Sequence, residues 1–147
     1  MQNIETKIII NAAVEEVWKA LTNFEAYSEW NPFIHSEGRA VEGTRLKNTI
    51  LLDGQKPQVF TPVLLEVKEN NVLRWEGNLF FKGLLDGEHY FKLKAIDANQ
   101  TELIHGENFR GILVGLIMRM IKDATQKGFE TMNQALKKRT ENSILKE

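Results

Sequence analysis

The C-terminal part of the chain constrains the fold most. From about Leu113 to Arg139 a helical period runs without a proline, which at 1.5 Å per residue makes about 40 Å of helix. Advancing 100° per residue, Ile117, Ile121, Ala124, Gly128, Met132 and Ala135 share one face, with Val114, Met118, Phe129 and Leu136 at its flanks. Arg119, Lys122, Gln126, Glu130, Asn133 and Lys137 take the opposite face. A rod with one apolar stripe must lie on an apolar surface of similar length. The preceding residues have to supply it.

They read as a sheet. Ile4 to Ile10 is β-branched and apolar, as expected of a strand entering the core. A first helix follows, with Val14, Val17, Trp18 and Leu21 on one stripe, Glu15 and Glu16 in its first turn, and Asn11 as candidate cap. Phe24, Tyr27 and Trp30 continue at spacing three as a second short helix, which Pro32 ends. From Phe33 to Arg110 alternation takes over, broken by turn signals such as Asp53-Gly54, Asn70-Asn71, Asp86-Gly87 and Ala98-Asn99. Strands are expected near 34–40, 45–52, 58–68, 72–80, 88–96 and 101–110. With the first, that makes seven. The expected fold is α+β: a curved, seven-stranded antiparallel sheet wrapped around a long C-terminal helix, with two short helices between the first two strands.

With 147 residues, 42% of them hydrophobic, and no linker-like tract, residues 1–147 are expected to form a single domain. Cysteine is absent, which removes disulfides and thiol catalysis and suits a reducing, cytoplasmic location. Nineteen Lys and Arg against 20 Asp and Glu leave no positive field for a polyanion, so nucleic acid is not an expected partner. The stretch from Met1 to Ile10 carries Glu5 and Lys7, so it reads neither as a secretory signal nor as a transmembrane segment. No glycine-rich phosphate loop, G-x-S-x-G elbow or H-E-x-x-H is present, and no helix carries metal-ligand spacing. Neither a metal nor a cofactor is expected.

Several local strings, in order, resemble the START-like helix-grip (SRPBCC) superfamily, which includes polyketide cyclases, dehydrases and lipid-transfer proteins. They are Val14-Glu15-Glu16-Val17-Trp18-Lys19-Ala20-Leu21, Tyr27-Ser28-Glu29-Trp30-Asn31-Pro32-Phe33, Leu73-Arg74-Trp75, Thr101-Glu102-Leu103 and Glu107-Asn108-Phe109-Arg110-Gly111, with Gly128-Phe129, Met132-Asn133 and Leu136-Lys137 closing the series. The resemblance covers nearly the whole chain and implies a cavity between sheet and helix that takes an apolar or amphipathic small molecule. The chain departs from the pattern at Ala12-Ala13, where relatives often have serine or proline at the first helix. Relatives include carriers, enzymes and protein-binding adaptors, so fold alone does not choose among these.

The residues themselves give two readings of the interior. Ala124 and Gly128 at the centre of the long stripe either leave volume unfilled or let the helix lie tightly on the sheet. Trp75, Phe80, Phe81, Phe91 and Phe109 would give rigid aromatic walls. In the strand near Glu88, His89 shares the inward parity of Phe91; in the next, His105 and Glu107 share that of Leu103 and Phe109. This holds if a longer or bulged turn at Ala98-Asn99 makes facing residues sum to 198. A plain two-residue hairpin, summing to 197, turns all three outward.

Trp75, His89, Phe91, His105, Glu107, Phe109, Ile117 and Ile121 are therefore the candidate ligand-binding residues, and His105 and Glu107 the candidate acid–base groups. The polar three either orient a ligand, act as acid and base in a cyclisation, dehydration or hydrolysis, or form a self-satisfied structural network. A carrier or sensor of a lipid, polyketide or aromatic molecule is the leading expectation, with enzyme and adaptor as alternatives. Leu116 and Met120 fall off the apolar stripe, and Phe80-Phe81-Lys82-Gly83-Leu84-Leu85 runs apolar through a turn. These would form a cavity mouth or a homodimer contact, unless Leu84 and Leu85 fold back as core.

Overall fold

The computed structural model describes residues 1–79 and 81–145. Phe80 lies outside the described residues. Strand β1 (Gln2–Ile10) leads into helix α1 (Val14–Thr22), then a 3-10 turn at Phe24–Ala26 that runs into α2 (Tyr27–Trp30). Strands β2 (Ile34–Glu37), β3 (Lys47–Ile50), β4 (Gln58–Phe60), β5 (Val63–Lys68), β6 (Val72–Asn78), β7 (Asp86–Asp97) and β8 (Gln100–Arg110) follow, and α3 (Val114–Leu145) closes the chain. The architecture is the helix-grip α+β fold. Eight strands are present among the described residues where seven were expected, because 58–68 is two strands. Pro62 has no amide hydrogen for a ladder, and the chain turns there from one sheet to the other.

All pairings are antiparallel, in a five-stranded sheet of order β1-β8-β7-β6-β5 and a three-stranded sheet of order β2-β3-β4, linked by a bridge between Arg45 and Val63. The helix α3 lies along β1 and touches β8, α1 and α2. Its buried stripe is Met118, Thr125, Phe129, Met132, Asn133, Leu136 and Thr140, rotated from the expected one. Asn133, assigned from periodicity to the solvent face, is buried. Gly128 resolves the choice posed by small residues in favour of close packing, since a Cβ there would overlap the ring of Phe33. Ala124 and Gly128 border a lesser recess beside Phe33 and not the main cavity.

Helix α1 starts at Ala13 without a side-chain cap, while Asn11 accepts a hydrogen bond from Gln100 Nε2 at 2.9 Å and caps nothing. Its anchor is packing, with Val17, Trp18 and Leu21 buried.

Register decides the rest. The β7–β8 hairpin begins with Asp97 opposite Gln100, the odd sum that would have turned the polar residues outward. A bulge between Ala95 and Asp97 shifts the ladder by one, and from Ala95–Thr101 onward facing residues sum to 196, not the expected 198, which keeps the same inward parity. Ile96 is the extra residue and is half-exposed. Phe91 therefore faces His105, His89 faces Glu107, and all four point to the concave side. The convex side carries the charges, where Arg74 reaches Glu66 at 3.2 Å and Glu88 at 2.5 Å.

Candidate functional site: a cavity with one polar wall

Two cross-strand rows build the site. In one, Trp75, His89, Glu107 and Ile4 lie side by side on β6, β7, β8 and β1; in the next, Leu73, Phe91, His105 and Thr6 do so. A third row explains the hollow. Gly77 pairs with Gly87, which faces Phe109, so two neighbouring inward positions carry no side chain. Gly87 also leaves room for its neighbour, because a Cβ there would push the Glu107 carboxylate from its place.

The result is a cavity of 310 Å³ between this end of the sheet, the three-stranded sheet and the first half of α3. Trp75, His89, Glu107, Phe109, Ile117 and Ile121 line it, as do Phe33, Phe60, Leu79 and Leu85. Phe91 and His105 do not reach it. Both are fully buried behind the wall, because Phe129 of α3 covers that row, its ring stacked on His105 at a centroid distance of 4.3 Å. Phe81 is 61% exposed and lies outside the cavity, while Leu85 is buried and Leu84 half-buried. The polar residues Asn48, Gln55, Gln58, Asn78 and Thr125 also line it, on segments where alternation alone gave no inward assignment.

One chain of hydrogen bonds runs inward from the wall. Glu107 Oε1 lies 3.2 Å from His89 Nδ1, His89 Nε2 lies 2.7 Å from His105 Nε2, and His105 Nδ1 lies 2.7 Å from Asn133 Oδ1. Asn133 Nδ2 then donates to Thr6 Oγ1 at 2.8 Å, and the Thr6 hydroxyl donates to the carbonyl of His105 at 3.0 Å. Asn133 was missed because helix periodicity ranks side chains by polarity. The readable signal was that it follows Met132 and lies four residues from Phe129, both on the buried side. Burial, and after it the neighbouring His89, hold the His105 pKa well below the ordinary histidine value, against the opposing bonds from Asn133 and the Phe129 backbone. His105 is therefore neutral near pH 7.

His89 stacks on Trp75 at 4.9 Å, which fixes its ring. Glu107 Oε2 has no hydrogen-bond partner among the described residues and borders the cavity, so a carboxylate oxygen is open to whatever enters. Among the described residues no group of three or more His, Cys, Asp or Glu side chains is placed to hold a metal ion. None of the described helices is long and apolar enough to cross a membrane.

The exposed lining residues include Gln55, Lys56 and Gln58 on one side and Met120 of α3 on the other, while the 81–85 turn packs against the start of α3. Ile112 and Leu113 donate backbone hydrogen bonds to the carbonyls of Gly83 and Leu84 at 3.1 and 3.0 Å. Met120 lines the cavity and is 73% exposed, which puts it at the rim; Leu116 and Ile112 are also exposed.

Solved structures of similar fold include the aromatase/cyclase Zhui from Streptomyces sp. R1128, with a TM-score of 0.80 at 14% identity over 97% of this chain and 95% of that one. A START superfamily protein from Mycobacterium smegmatis matches with a TM-score of 0.75 at 20% identity, over 95% and 97% of the two chains. A norcoclaurine synthase point mutant from Thalictrum flavum, in complex with a transition-state analogue, matches at 0.74 and 10% identity, over 97% and 95%. No curated protein matches the sequence significantly. The sequence profile described as polyketide cyclase / dehydrase and lipid transport matches residues 1–141, and the chain belongs to that family.

Proposed function

We propose that the protein binds a small apolar or amphipathic molecule, of lipid, polyketide or aromatic type, inside this cavity and acts as its carrier or sensor. The observation that carries this is a 310 Å³ space with aromatic walls and a single open carboxylate oxygen. Ligand pockets have this character, apolar over most of their surface with few convergent polar groups. Trp75, Phe109, Ile117 and Ile121 supply contact area, and Glu107, held by His89, accepts a hydrogen bond from a ligand hydroxyl or N–H. Phe91 and His105 serve from behind, by fixing the wall.

Titration with the apolar fluorophore N-phenyl-1-naphthylamine tests the reading, with native mass spectrometry of protein from its own host as a second measurement. Saturable one-to-one binding is expected. It should be lost in both Ile121→Trp and Gly77→Val, which fill the space from opposite sides. An unsaturable signal, unchanged by either variant, together with no co-purified small molecule, overturns it.

The Glu107–His89 contact at the wall also favours a second reading, an enzyme of the cyclase, dehydrase or hydrolase kind with this pair as acid and base. Glu107→Gln separates the two. A carrier keeps its ligand with a modest change in affinity, whereas an enzyme using this base loses turnover by ~10²–10⁴ and still binds. A homodimer through Leu116 and the 81–85 turn is part of the same proposal. Light scattering checks it: a dimer should dissociate in Leu116→Glu, and a monomer unchanged by that substitution leaves the patch as cavity rim alone.

A further inference from the structure

The hydrogen-bond chain behind the cavity wall has a direction, and the direction sets how many protons the wall holds. Thr6 gives its hydrogen to the carbonyl of His105, so its oxygen can only accept from α3. Asn133 meets it with its NH2 group, which turns the amide oxygen onto His105 Nδ1. An amide oxygen only accepts, so Nδ1 carries the hydrogen of this ring. Buried without a counter-charge between Phe91 and Phe129, the ring is neutral, and its Nε2 is a bare lone pair. His89 Nε2, 2.7 Å away, must donate to it. What remains is His89 Nδ1 facing Glu107 Oε1 at 3.2 Å. With no hydrogen between them, a lone pair would oppose a carboxylate oxygen in a contact whose side chains are 5% and 17% exposed.

We infer that Asn133 is a positioning residue that fixes the tautomers of both histidines, so that one exchangeable proton is held between His89 and Glu107 at the cavity wall. The pair is then an acid–base unit of zero net charge. It takes an uncharged ligand carrying a phenolic hydroxyl, which donates to the open Glu107 Oε2, not a cationic amine. This deepens the site of the proposed function, and its consequence for ligand choice rests on that reading. The side chains packed against the pair are mostly apolar. Ile4 of β1, Trp75 of β6, Phe109 of β8 and Phe129 of α3 surround it, and His105 is the other titratable group in contact. Lys56 is the remaining charged residue that lines the cavity among the described residues.

There is one rival wiring. If the Asn133 amide donated to His105 Nδ1, each ring would reverse, His89 Nδ1–H would donate to Glu107, and the wall would be a bare carboxylate with net charge −1. Long-range 15N–1H NMR of the imidazoles at neutral pH separates the two in the wild-type protein. Expected are hydrogen on His105 Nδ1 and on His89 Nε2. A bare His89 Nε2, with hydrogen on His105 Nε2, overturns the inference.

Two further measurements apply it. Asn133→Leu removes the acceptor and should release the His105 tautomer while leaving N-phenyl-1-naphthylamine bound; an unchanged tautomer pair in this variant also overturns it. Wild-type protein should bind 2-naphthol at least tenfold more tightly than 2-naphthylmethylamine near neutral pH, and the reverse order counts against the neutral pair. Loss of N-phenyl-1-naphthylamine binding in wild type would instead strike the binding reading, with the tautomer result standing by itself.

Discussion

The two halves of α3 lie over one concave surface and have opposite effects on it. Residues 125–140 press Phe129, Met132 and Leu136 into the sheet and join it through Asn133. Residues 114–124 bury only Met118 fully, hold Ile117 and Ile121 at a cavity wall, and leave Leu116 and Met120 in the open. Both halves are apolar on one side. The difference lies in what faces them, with Phe91, His105 and Leu103 under one and the glycine pair Gly77–Gly87 near the other. An amphipathic stripe thus reports that a helix covers something, and the opposing sheet decides whether the space beneath is filled.

The sharpest way to break the comparison is to remove matched side chains from the two halves. Phe129→Ala takes away the ring that caps His105, Phe33 and the row behind the wall, and should cost about 3–5 kcal/mol of unfolding free energy. Ile117→Ala enlarges a space that is already open and should cost less than about 1 kcal/mol. Urea unfolding of the two variants measures both. Equal costs would mean that the cavity half is as tightly packed as the other.

A smaller effect comes from pH and belongs to the packed half alone. The His105 pKa is lowered in the folded state, so below about pH 6.5 the unfolded chain binds a proton there that the native protein refuses. The stabilising contribution of the neutral ring is complete above that pH and is lost as pH falls through 6.5 toward the folded pKa. Its slope is at most about 1.4 kcal/mol per pH unit. Urea midpoints measured from pH 7.5 down to 5 should fall more steeply in wild type than in His105→Gln. Parallel curves would remove His105 as the source.

The same contrast explains what could be read in advance. Alternation placed His89, His105 and Glu107 on one side because each lies between residues of clear polarity, such as Phe91, Leu103 and Phe109. It could not fix the register, since that depended on a bulge at Ile96, a residue with no glycine or proline to mark it. Phe91 and His105 shared the right parity and still missed the cavity, because parity gives a face but not a depth along the strand. Asn133 was hidden for a different reason. A buried asparagine is explained only by its partners, and Thr6 and His105 are distant in sequence. The family strings located the helix-grip fold well, while the split at Pro62 followed from a missing amide hydrogen that a count of alternating residues overlooks.

The finest probe of the two halves is a single methyl group. Both Gly115 and Gly128 lie in α3, where alanine is the better helix former by about 0.5–1 kcal/mol. At Gly115 nothing lies within 4 Å of the added Cβ, so Gly115→Ala should keep a gain of about 0.5 kcal/mol, reduced by its place in the first turn. At Gly128 the methyl would overlap the ring of Phe33, which is itself buried and set edge-on against Phe129, so room can be made only by disturbing that pair. Overpacking of this kind costs about 1–3 kcal/mol, which exceeds the gain in helix propensity. The two substitutions should therefore shift the thermal midpoint in opposite directions. A rise in both would mean that Phe33 moves aside freely, and that the helix is as loosely seated at Gly128 as it is over the cavity.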